Sequence, residues 1–161
     1  MDNFNFDKYV SYQYEAKEEF LKRGRRQLRR VARAMGLVTG QYEVRVNRGG
    51  IAVSGEVTLH SDHVYCQLLQ SCVHVGSILL YRTCEGRKDY SGGRNNFLPG
   101  NTLNDPKKVA GILLSLQRTE ARAKRAKEIE DFERWQVSEP HAAREVRYLG
   151  ECSEIRQDNW N

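Results

Sequence analysis

Seven cationic side chains, Lys22, Arg23, Arg25, Arg26, Arg29, Arg30 and Arg33, fall within a stretch that holds no acid. At helical spacing all seven project from one side. Their chemistry is electrostatic: each can neutralise a phosphate and release its counterions, which gives an affinity that falls with salt. An acidic protein groove would be gripped by the same groups. The run therefore admits nucleic acid, a nucleoprotein complex or an acidic protein surface as partner, beside the plainer reading of a solvating basic surface.

A second cluster follows in the chain. Arg82, Arg87, Lys88 and Arg94 surround Gly92 and Gly93, with Tyr90 and Phe97 available for stacking and Asn95 and Asn96 for hydrogen bonding. Glycines let backbone N–H groups approach an anion and arginine supplies a planar fork, so this loop has the chemistry of an anion or nucleotide cradle. Neither GxxxxGK[ST] nor GxGxxG occurs. The structural alternative is a loop held by its own Asp89 and Arg94, with Gly92 and Gly93 serving only to turn.

Other reactive types are present without a working pattern. His60, His63, Cys66, Cys72, His74 and Cys84 offer the nitrogen and sulfur that zinc takes, but no CxxC pair occurs. Alternation sends His60 and His63 to a hairpin turn and places Cys66 and Cys84 inside strands as small apolar residues. Cys72 beside His74 lacks an orienting third group. Glu85, Lys88 and Asp89 would be the basis of a Mg²⁺-dependent nuclease, with only two acids to hold the ion. No catalytic residue, metal or cofactor is assigned. The chain reads as a non-enzymatic binder, with a sponge that sequesters a nucleotide signal in the 87–97 loop as the alternative and a metal-dependent nuclease as the second.

The elements that must position these groups are legible from periodicity, and they predict an α+β fold. Val10, Tyr14, Leu21, Leu28, Val31 and Met35 form one apolar stripe, giving a basic amphipathic helix over 7–36 that Gly36 ends. Gly24 interrupts the stripe, marking a bend or a close backbone approach. Alternation then predicts strands at 41–47, 51–60, 63–70 and 77–84, a four-stranded antiparallel meander packed on the N-terminal helix. Residues 85–104 read as a polar glycine-rich loop. Asn104-Asp105-Pro106 starts a long helix over 105–136 that buries Val109, Ile112, Leu113 and Leu116. A short terminal helix is expected over 139–150, and 1–161 is expected to form a single domain. The mixed-charge stretch from Arg118 to Arg134 is either solvated or paired with a partner helix; it lacks a sustained heptad of large apolar residues, and a homodimer stays open.

Totals bound the rest. Net charge is +5, and residues 1–50 hold eleven basic and six acidic groups, so the excess sits at the N-terminal end. Runs such as Ile78 to Tyr81 fall far short of the ~20 apolar residues of a membrane span. The start has no signal-peptide pattern, and unpaired Cys66, Cys72, Cys84 and Cys152 fit reduced thiols in the cytoplasm. The run Ser54 to His60, with Arg82 to Tyr90 and Gly92 to Asn96, resembles small accessory proteins of bacteriophages and mobile elements. That resemblance implies a host-directed role in bacterial cytoplasm, such as inhibition of a nucleic-acid-guided defence complex or sequestration of a nucleotide signal, by binding without turnover.

Overall fold

The computed structural model describes residues 3–10, 12–49, 55–70 and 76–138. Gly50, Ile51 to Ser54, Cys72, His74, the helix expected over 139–150 and Cys152 lie outside the described residues. The chain divides into two compact units, residues 1–120 and 121–161. In the first, helix α1 (Tyr14–Ala34) precedes β1 (Tyr42–Asn47), β2 (Glu56–Ser61), β3 (Val64–Gln70), β4 (Ser77–Thr83) and β5 (Asn96–Pro99). A 3₁₀ turn (Gly100–Asn104) leads into α2 (Pro106–Ser138), whose distal stretch belongs to the second unit.

The α+β architecture stands, with five strands in place of four. They form one antiparallel sheet in the order β1-β2-β3-β4-β5. Asn96 and Phe97, read as loop residues, lie on β5 and pair with Tyr81 and Leu80. A four-residue strand is too short to show a period, and Pro99 hides it further. Register aligns Val46, Val57, Leu68, Leu79 and Leu98 in one row across all five strands. This row faces Phe20, Leu28, Val31, Leu103, Val109 and Leu113 in the core, so the proximal part of α2 and α1 share one side of the sheet. Ile112 and Leu116 are only half-buried.

Helix α1 is shorter than its pattern. Tyr12 holds a left-handed φ of 65°, which stops the helix from extending back to residue 7. Residues 4–10 instead form a strap: Gln70 donates to Phe6 O and Lys8 O and accepts from Val10 N, while Asn101 and Asn104 hold Phe6 N and Phe4 O. Phe6 and Val10 are buried from this strap. At the other end Leu37 N donates to Ala32 O and Gly36 N to Arg33 O, a Schellman stop with Gly36 at φ 81°. Gly24 marks a close approach: a Cβ there would lie 2.8 Å from Leu68 Cδ2 and 3.1 Å from Val57 Cγ2.

Candidate nucleic-acid interface

Burying Phe20, Leu21, Gly24, Leu28 and Val31 fixes the rotation of α1, and this rotation turns the basic set outward. Lys22, Arg25, Arg26, Arg29, Arg30 and Arg33 are exposed. None of these six has an ion-pair partner among the described residues; Arg30 Nη1 donates to Gln27 Oε1 at 3.3 Å and Arg33 Nε to Arg29 O at 3.3 Å. Arg23 differs. Its guanidinium is paired with Glu19 at 2.6 Å and lies over the Phe4 ring. Glu15, Glu18 and Glu19 bound the ridge at the start of α1, with Glu18 taken up by Arg48 at 2.7 Å.

The ridge spans eleven residue steps, about 16 Å at the helical rise. Beside it, Leu21 and Val46 floor an open groove of about 860 Å³ walled by Lys22, Arg25, Arg29 and Arg48, with Glu15, Glu18 and Glu19 lining its end at the start of the helix. Arg33 also lines a second hollow of about 810 Å³, shared with Arg30, Lys107 and Lys108. Lys107 and Lys108 were not among the residues expected at the site. Their one sequence signal is their place in the first turn of α2, where no acid occurs and the helix dipole disfavours cations.

The 82–97 loop is held mainly by its own side chains. Arg82, read as an anion binder, is 3% exposed: it donates to Gly92 O, lies 3.9 Å from Asp89 Oδ1 and packs 4.6 Å from the Tyr65 ring centroid. Its charge is answered inside the fold. Asp89 accepts N–H bonds from Glu85, Ser91 and Gly92, and these backbone donors pull its pKa down to about 2. The stapled-loop alternative is therefore realised with Arg82, where Arg94 had been expected. Gly92 leaves the room that Asp89 occupies, and Gly93 holds a φ of 75° beside Thr83 O.

Arg87 pairs with Asp62 at 3.0 Å and donates to Gly40 O at 2.9 Å. Tyr90 bonds Arg45 and sets its ring edge-on to His60, 5.2 Å away. Asn96 donates to Arg94 O at 2.9 Å. Lys88, Arg94 and Asn95 are exposed, as is Phe97 at 61%. The loop thus divides into an inner staple and an outer rim.

His60 lies in β2, buried, and not at a turn; its Nε2 meets Gly86 O at 3.1 Å and burial pushes its pKa down. Burial pushes the Cys66 thiol up to about 12 and raises that of Cys84. Both are poor thiolate ligands or nucleophiles at neutral pH. Among the described residues no three His, Cys, Asp or Glu side chains converge, and no helix is long and apolar enough to cross a membrane. No family model, curated protein or solved structure matches the chain.

Proposed function

We propose that the protein is a stoichiometric binder of nucleic acid, free or within a nucleoprotein complex, and that α1 is the docking element. One observation carries this reading: six cations share a solvent-facing ridge, and none of them is ion-paired among the described residues, the carboxylates Glu15, Glu18 and Glu19 standing only at its start. Duplex DNA carries one charge per about 1.7 Å of axis, so a ridge of about 16 Å meets a phosphate array dense enough to engage all six. A helix fits the major groove in width. Within this reading the outer rim of the loop, Lys88, Arg94, Asn95 and Phe97, is a second contact, and inhibition of a host defence complex is the biological role the chain would serve. The nucleotide-sponge reading has less support, because Arg82, Arg87 and Tyr90 are already engaged within the protein. The nuclease reading has less again, since Asp89 is occupied by three backbone donors.

The test is a fluorescence-anisotropy titration of a labelled duplex over a series of salt concentrations. Six neutralised phosphates give a slope of log K against log salt of about −5. The double reversal Arg26→Glu with Arg30→Glu should flatten that slope by about 2 and weaken binding at low salt. Its unfolding free energy should move by less than about 0.5 kcal/mol, because both side chains are exposed. Unaltered affinity in this variant would remove α1 from the interface.

A further inference from the structure

The distal stretch of α2 is exposed on all sides from Ala121 to Trp135, yet it displays Ile129, Phe132 and Trp135 at 52%, 55% and 43% exposure. A helix without a buried face gains little stability of its own, because tertiary packing supplies most helical stability. Ala121, Arg125, Glu128, Phe132 and Trp135 recur at alternating steps of four and three, the spacing of a helix-helix seam, here with two charged residues at its middle positions. Arg125, Glu128, Ile129 and Phe132 line one shallow hollow. The rings of Phe132 and Trp135 stack at 6.0 Å, which extends the apolar surface along the seam.

The charges along this stretch are segregated. Arg122, Lys124, Arg125 and Lys127 come first without an acid among them; Glu128, Glu130, Asp131 and Glu133 follow, and the single base after them, Arg134, pairs within the helix with Glu130 at 2.9 Å and Asp131 at 3.6 Å, leaving Glu128 and Glu133 to the acidic half. Such a segment complements itself in one orientation only. Laid parallel on a copy in register, basic half meets basic half and acidic half meets acidic half; laid antiparallel, each half meets its opposite. Neither Arg125 nor Glu128 has an ion-pair partner among the described residues.

We propose that this part of α2 pairs antiparallel with the same stretch of a second copy of the chain, in the register that sets Arg125 opposite the partner's Glu128. That register brings Ala121 opposite the partner's Phe132, so the smallest side chain of the seam receives a large ring. By the two-fold symmetry of such a pair every contact occurs twice, and a single substitution removes two.

Sedimentation equilibrium of the full chain over the micromolar range tests this, with circular dichroism confirming that helix content is kept. The unaltered protein should sediment as a dimer. Arg125→Glu and Glu128→Arg should each raise the dimer dissociation constant about tenfold or more, by replacing two attractive contacts with two repulsive ones. The double variant Arg125→Glu with Glu128→Arg should restore the dimer, since the swapped charges again face their opposites. A protein monomeric at every concentration would overturn the proposal and leave the apolar strip to another occupant. A dimer indifferent to both single reversals, or a double variant no tighter than either single one, would also overturn it.

Discussion

Arg82 and Arg26 carry the same charge and meet different fates, decided by strand register and helix rotation. Arg82 sits where β4 passes under the loop, and its guanidinium orders Gly92 O and Asp89; Arg26 projects into water. Asp89 shows what the inner arrangement is worth. Its folded pKa of about 2 lies below its ordinary 3.8, so the stability it contributes is present above the ordinary value and is lost as pH falls through about 2. Thermal unfolding followed from about pH 5 to about pH 2 should show this acid-side loss, and Asp89→Asn should flatten it over that window. Residue chemistry was legible for α1, where six of the seven like charges reach the exposed face and only Arg23 turns to Glu19 and Phe4. It was not legible for the loop, because the residue that staples Asp89 comes from a strand and nothing in local spacing separates Arg82 from Arg94. His60 was misplaced for a related reason: β2 runs one residue beyond it, to Ser61.

At the level of the elements, α1 and the four longer strands announced themselves by period, because each buries one face against the same core. The strap over residues 4–10 has no period; it is held by side-chain amides of Gln70, Asn101 and Asn104, which are distant in sequence. Tyr12 carries no sequence mark of its left-handed backbone, because that position holds no glycine. Gly24, by contrast, was visible as an interruption, and the structure gives the reason as helix-to-sheet distance. Gly24→Val should force Leu68 and Val57 apart and cost about 2 kcal/mol, read as a lower urea midpoint with an unchanged slope. The gain in helix propensity is under about 1 kcal/mol and does not reverse the sign.

Across the sheet-bearing unit, the cationic surface does not end with α1. Arg33 lines both the groove beside the helix and the hollow shared with Asp105, Lys107 and Lys108, so a polyanion long enough to pass Arg33 meets two further cations beside one carboxylate. Lys107→Glu with Lys108→Glu should lower the salt slope by about 2 for a long duplex and leave a duplex too short to pass Arg33 nearly unaffected. Anisotropy with the two lengths measures this directly. The adjacency was hidden in the sequence because more than seventy residues separate Arg33 from Lys107, and only folding closes that interval.

The two rims of the sheet have a consequence for how much of this protein a cell can hold. Crowded chains with bare outer strands tend to template fibres. Here β1 presents the charged pair Glu43 and Arg45 outward, and β5 is four residues long and closes on Pro99, which has no N–H to offer a newcomer. Edge-to-edge association is thereby discouraged at both rims, at one of them by the same short strand that the chain's periodicity concealed.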